Sequence, residues 1–154
     1  MIDLDATDHK ILNLLQADGR ITNAELAERV NLSQSACSRR VRRLESEGVI
    51  EGYAALVDPS AVGRPATVFV EITLNSQQRQ ILDAFEAAVR ECPAVMFCCF
   101  MSGDADYFLE LAAADTADYE RIYRSYLSQF PGVARIRYSF ALRTVCKTTA
   151  LQLP

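Results

Sequence analysis

Residues 22–48 read TNAELAERVNLSQSACSRRVRRLESEG. Thr22 and Glu25 form a capping-box pair, a hydroxyl three residues ahead of a carboxylate, each suited to satisfy an end N–H of the helix they open. Leu26, Ala27 and Val30 supply the inner face of that helix, and Asn31-Leu32 ends it. Ser33 is placed to cap a second helix, in which Cys37, Val41 and Leu44 recur at i, i+4, i+7. Arg39, Arg40, Arg42 and Arg43 fall on its remaining faces, and Gly48 stops it. A link of three or four residues between two such helices suits the crossed pair of a helix-turn-helix rather than a parallel-sided bundle.

Outward toward the N-terminus, Ile11, Leu12, Leu14 and Leu15 predict a further helix buried on one side, with Asp5 as its N-cap and Asp18-Gly19 as its end. In the other direction, Val49 to Val57 holds two short β-prone runs around Gly52, giving either a small hairpin or an extended strand leading away. Residues 1–58 therefore read as a winged helix-turn-helix domain. Asp58-Pro59 and Gly63-Arg64-Pro65 gather turn-forming residues, which marks 59–66 as a linker.

From residue 67 to 154 the pattern changes. Val68, Val70, Ile72 and Leu74 alternate with Thr67, Phe69, Glu71 and Thr73 in a period-two strand. Ser76 is then a candidate cap for a helix carrying Ile81, Leu82, Phe85 and Val89, ended by Cys92-Pro93. Val95 to Met101 and Tyr107 to Ala113 are two strands joined by a turn, a helix with Tyr119, Ile122, Tyr123, Tyr126 and Leu127 follows an Asp115 cap, and Ile136, Tyr138, Phe140 and Leu142 mark a last strand. The order β-α-β-β-α-β is the ferredoxin-like split βαβ, so the chain as a whole is α+β. Such a sheet has its helices on one side. Because Val95 to Met101 is apolar on both faces, the bare side needs a cover, and a second copy of the chain is the simplest one.

Length and composition agree with two small domains. The 154 residues are 50% apolar and 23% charged, close to the globular average. The net charge of −4 speaks against a nucleic-acid partner at first sight, and residues 1–65 and 66–154 each carry eight Lys/Arg against ten Asp/Glu. Four of the first eight positive charges, however, lie between positions 39 and 43, so the local field differs from the total. The acidic N-terminus and the lack of any run of roughly 20 apolar residues predict a cytoplasmic protein with no membrane span. Five cysteines without C-x-x-C spacing read as reduced thiols, and a single histidine, His9, makes a triad or a metal site hard to assemble; neither an enzyme nor a cofactor is expected.

Two groups of residues are candidates for function. Arg39, Arg42 and Arg43 are suited to phosphates and guanine edges, and Gln34, Ser35 and Ser38 sit near the helix start that enters the major groove in helix-turn-helix proteins. The bland alternative is a solvated arginine face. The turn Ser102-Gly103-Asp104-Ala105-Asp106-Tyr107 is the second candidate: Asp104 or Asp106 would hold an ammonium group and free backbone N–H groups a carboxylate, as an α-amino acid requires. Its bland alternative is ordinary turn chemistry, and two carboxylates are too few ligands for a tight metal site. Rival readings of the whole chain are a stand-alone amino-acid-binding module and a regulator switched by a thiol, with Cys37 as the thiol.

Asp18-Gly19-Arg20-Ile21-Thr22-Asn23 with Glu25-Leu26, then Arg40-Val41-Arg42-Arg43-Leu44-Glu45 and Gly48-Val49-Ile50-Glu51-Gly52-Tyr53, resemble the DNA-binding half of the Lrp/AsnC, or feast/famine, family of transcriptional regulators. Val68 to Asn75 and Ser102 to Tyr107 resemble the family's effector-sensing half, a RAM-type domain. The resemblance implies a regulator of promoter DNA that forms homodimers, assembles these into tetramers or octamers, and answers to an amino-acid effector. It places the effector near Ser102, Gly103, Asp104, Asp106 and Tyr107, with the end of the last strand, around Thr148 and Thr149, contributing. Two positions depart from the family's pattern: Ala36 stands where proline is frequent, and Glu110 lies in the third strand.

Overall fold

The computed structural model describes residues 2–153. It divides into two compact units, one holding the chain up to Leu56 together with the segment from Cys146 onward, the other Val57–Val145. Among the described residues no helix is long and apolar enough to cross a membrane.

The first unit is built from α1 (Ala6–Ala17), α2 (Asn23–Arg29) and α3 (Gln34–Ser46). Each start is fixed by a side chain that accepts otherwise orphaned N–H groups. Asp5 accepts from Thr7 N and Asp8 N at 2.9 and 2.8 Å, and the Asp8 carboxylate accepts from Asp5 N in return. Thr22 and Glu25 form the capping box foreseen for α2; hydrogen bonds from the Thr22 hydroxyl and N–H hold the Glu25 carboxyl below its ordinary value. Ser33 accepts from Ala36 N at α3. Asn31, in the short turn between α2 and α3, takes φ 57°, a left-handed conformation asparagine tolerates better than most residues. Ile11, Leu12, Leu26, Ala27, Val30, Cys37 and Leu44 form the core.

Two features differ from expectation. Residues 49–57 form no strand, so no hairpin is made; Val49 and Ile50 instead pack onto the helical core. The chain's last segment, expected in the second domain, belongs to the first unit: Leu151 N donates to Gln16 Oε1 at 2.6 Å, Gln16 Nε2 donates to Leu151 O at 3.1 Å, and Leu153 packs on the helical core.

The second unit is a four-stranded antiparallel sheet, order β2-β3-β1-β4, made of β1 (Ala66–Leu74), β2 (Val95–Phe100), β3 (Tyr107–Ala113) and β4 (Val133–Phe140). Helices α4 (Arg79–Arg90) and α5 (Thr116–Ser125) pack on one face, where Val68, Val70, Ile72, Leu109 and Leu111 meet Phe85, Val89, Tyr119 and Ile122. The alternation of β1 and β3 sets this face, since every second side chain points the same way. Ser76 does not cap α4; the cap is Gln78, without a side-chain bond, and the Ser76 hydroxyl accepts from Gln78 N in the preceding turn. Leu142, expected in the last strand, lies past its end and is fully exposed.

Candidate functional site

At 100° per residue, Gln34, Ser35, Ser38, Arg39 and Arg42 span one side of α3, opposite the buried row of Cys37 and Leu44. Gln34, Ser35, Arg39 and Arg42 are exposed and Ser38 is half-buried. Asn23 Nδ2 donates to Gln34 O at 3.0 Å, tying the start of α3 to the start of α2. Arg39 and Arg42 make no ion pair among the described residues, so their guanidinium groups are available to an outside anion.

Arg43, foreseen as a DNA contact, is engaged otherwise. With Arg40 it converges on Asp8 of α1, a carboxylate only 1% exposed: Arg40 Nη1 donates to Asp8 Oδ1 at 2.9 Å and Arg43 Nη2 to Asp8 Oδ2. Arg40 also reaches Asp5 at 2.7 Å, and Arg43 Nε lies 3.7 Å from Glu47. The Asp8 N–H, then Arg40, hold the Asp5 carboxyl below its ordinary value, while Asp5 and Asp8 push the Arg40 guanidinium up. The four arginines thus separate into two that fasten α3 to α1 and two that face outward. A cleft of about 320 Å³ lined by Arg39, Arg40 and Arg43 opens beside them. Asp8 escaped sequence reasoning, although it continues the apolar row 8, 11, 12, 15 of α1; an acid on a buried stripe was the signal.

The second candidate, the turn between β2 and β3, is likewise split by the structure. Ser102, Gly103 and Asp104 are exposed, and Gly103 has φ 145° with open space where a side chain would start. Asp106 is 6% exposed and already satisfied: its carboxylate accepts from Leu74 N at 2.7 Å and from Gln77 Nε2, so it anchors the turn to the end of β1. The Tyr107 ring lies in the core against Phe85, its hydroxyl donating to Glu86 at 2.9 Å, and burial followed by that bond pushes the phenol pKa up. Gln77 and Glu86 had no signal in the sequence. Thr148 and Thr149 are not at a strand end, because β4 stops at Phe140; they lie in the terminal segment of the other unit, where Thr148 Oγ1 accepts from Ala150 N.

Opposite the helices, pairs in register place Phe97 and Cys99 of β2, Phe108 and Glu110 of β3, Phe69 and Glu71 of β1 and Arg137 of β4 on one open face. Phe69 and Phe108 stack at 5.6 Å, Phe97 is 52% exposed, and Glu110 sits between Phe69 and Phe97. Cys37 is fully buried, and burial pushes its thiol pKa up, away from the thiolate a redox switch uses. Among the described residues no three His, Cys, Asp or Glu side chains converge as a metal site.

Comparison with known proteins also separates two parts, although the second family model runs on into the terminal segment. Residues 67–151 match the family model described as the Lrp/AsnC ligand binding domain, and residues 4–51 the model of a winged helix-turn-helix DNA-binding domain. The chain is 42% identical over 149 residues to the leucine-responsive regulatory protein of Salmonella typhimurium, covering 97% of this chain and 91% of the relative. The protein of that name from Escherichia coli K12 is 41% identical over the same coverage. A crystal structure of a Neisseria meningitidis transcriptional regulator in complex with L-Met superposes with a TM-score of 0.92 at 37% identity, covering 97% of both chains. A feast or famine regulatory protein from Mycobacterium tuberculosis complexed with L-methionine gives 0.89 at 35% identity, over 99% of this chain and 100% of that one.

Proposed function

The chain belongs to the Lrp/AsnC family of transcriptional regulators, and we propose that it reads promoter DNA through α3 and adjusts that binding to a small amino acid held by its sheet domain. The observation that carries the DNA reading is the division of the arginines: Arg39 and Arg42 stand exposed and unpaired beside Gln34, Ser35 and Ser38, while Arg40 and Arg43 are held by Asp8. A helix fastened from one side and bare on the other, with donors along the bare side, matches what a major groove and its phosphates accept. Overall acidity then works for selectivity, since the chain as a whole carries an excess of negative charge that disfavours indiscriminate binding.

The effector reading rests on the exposed turn. Ser102, Gly103 and Asp104 offer a hydroxyl, backbone N–H groups and a carboxylate, complementary to a zwitterion, and two solved relatives bind methionine. The open apolar face around Phe97, Phe108 and Phe69 supports a homodimer; assembly of dimers into tetramers or octamers and work in the cytoplasm belong to the same reading and rest on the family membership alone.

Fluorescence anisotropy on a fragment of the protein's own upstream region tests the DNA reading. Arg39→Ala with Arg42→Ala lowers affinity and reduces the slope of log K against log salt by about two units, since each lost phosphate contact removes about 0.9. Unchanged affinity and slope refute it. For the effector, a thermal-shift series over the twenty amino acids, methionine and leucine first, raises the melting temperature for the true ligand. That shift disappears in Asp104→Ala; a shift of full size in the variant moves the effector away from this turn.

A further inference from the structure

We propose that the groove between α5 and the edge strand β4 is a second small-molecule site, one that takes an organic cation: a protonated amine on an aromatic or aliphatic body. One wall is the α5 row Thr116, Tyr119, Glu120 and Tyr123, at i, i+3, i+4, i+7; the other is Ile136, Tyr138 and Phe140, alternate residues of β4. Because β4 is the outermost strand, no further strand closes the groove, and the cleft measures about 490 Å³, room for a molecule with a single ring.

The Tyr119 hydroxyl points to an occupant. The residue is 4% exposed and lines the cleft, yet its hydroxyl has no hydrogen-bond partner among the described residues. Tyr107, buried to the same degree in the same unit, has Glu86. A buried hydroxyl left unpaired is costly, so an occupant of the groove whose N–H reaches the Tyr119 oxygen, after a small shift of the rings that cover it, gives it the partner the chain does not supply. Burial, with the Tyr138 and Tyr123 phenols beside it, pushes its pKa up and keeps it a neutral phenol.

The rings decide the charge of the ligand. Tyr119 and Tyr138 lie 4.7 Å apart at 45°, Tyr119 and Phe140 5.5 Å apart edge to face, and Tyr119 and Tyr123 6.4 Å apart. Such faces attract a cation. The charged side chain on the wall is Glu120, whose ion pair with Arg124 is largely solvated and weak enough to yield to a ligand ammonium. A carboxylate at the rim repels anions. The groove lies at the β4 edge, whereas the turn assigned to the effector joins β2 to β3 at the opposite edge, so the two sites are separable by mutation within the sheet domain.

The protein lacks tryptophan and has six tyrosines, three of them on this groove, so tyrosine fluorescence of the full chain reports directly on occupancy. Titration with 2-phenylethylamine gives a saturable change; 2-phenylethanol binds about tenfold more weakly, the loss expected for a cation–π contribution, and 3-phenylpropanoate no better than the alcohol. Tyr119→Phe keeps the ring and the packing but weakens the amine about fivefold, the scale of one hydrogen bond. Tyr138→Ala, at a position 54% exposed, weakens it further, and Glu120→Gln narrows the preference for amine over alcohol. Asp104→Ala leaves all three titrations unchanged, which separates this site from the effector turn. Equal binding of the three probes, a linear titration with the amine, or wild-type affinity in Tyr138→Ala overturns the proposal.

Discussion

Replacing Asp8 by alanine sets two expectations against each other. By net charge alone, removing an acid from an acidic DNA-binding chain strengthens DNA binding. The structure predicts the reverse. Asp8 is 1% exposed and receives Arg40 Nη1 at 2.9 Å, Arg43 Nη2, and the N–H of Asp5 at 3.2 Å, so its loss removes the buried part of the fastening of α3 to α1, leaving the exposed Arg40–Asp5 pair, and half of a capping box. Breaking a fully buried ion pair costs about 3–5 kcal/mol, but the arginine side chains are 29% and 40% exposed and water takes over part of their solvation. The net loss is then about 2–3 kcal/mol, which for a unit of this size lowers its melting temperature by about 10–20 °C. Hydrogen exchange of α1 and α3 peptides in the full chain reads this opening, and anisotropy reads the accompanying fall in DNA affinity. In a double-mutant cycle, adding Arg40→Ala and Arg43→Ala to Asp8→Ala costs far less than the same changes in the parent. If Asp8→Ala binds DNA as well as or better than the parent with unaltered exchange, the fastening role is wrong and Arg40 and Arg43 belong with the DNA-facing pair.

Further outcomes concern the sheet unit. Gly132 sits at φ 74°, and a Cβ there would overlap the Ile81 methyl, so Gly132→Ala lowers stability by about 2–4 kcal/mol; Gly63→Ala, at φ 71° with open space around it, costs only about 1 kcal/mol, and denaturant midpoints at constant m distinguish them. The Asp118 carboxyl is held below its ordinary value by the Ala114 N–H first and then by Arg121 and Arg64. A depressed folded-state pKa gives stability that is complete above the unfolded value and disappears as pH falls through the folded one, so the sheet unit weakens below about pH 4, the ordinary carboxylate range. An unfolding midpoint whose fall in acid is the same in Asp118→Asn removes Asp118 from that account.

Much of this molecule was written in local pattern. The caps at Asp5, Thr22, Ser33 and Asp115 are one-turn interactions between near neighbours in sequence, and helical or strand periodicity named inner residues such as Ile11, Leu26, Leu44, Val68, Val70, Phe85 and Ile122 because each face repeats within a few residues. Patterns of this kind say which side of an element is buried, not what meets it there. Leu151 on Gln16 joins residues 135 apart, and Arg43 on Asp8 joins residues 35 apart; neither leaves a periodic trace. The hairpin or extended strand expected after Gly48 is absent for a related reason: Val49 and Ile50 are β-prone, but they pack on the helical core instead of entering a ladder.

The same distinction explains why the candidate site residues were only half legible. Sequence places a charge or a turn, whereas function depends on what is left unpaired after folding. Four arginines within five positions are equivalent on paper; Asp8 makes two of them structural and leaves Arg39 and Arg42 outward. Two aspartates flank Ala105; Asp106 is used up by Leu74 and Gln77, leaving Asp104 free for a ligand. Conversely, the tyrosines of α5 look like plain packing until Tyr119 proves to have a buried hydroxyl with no partner. The net charge of −4 is therefore compatible with the proposed DNA reading, because local charge left unneutralised after folding outweighs the total, and on α3 that charge is Arg39 and Arg42.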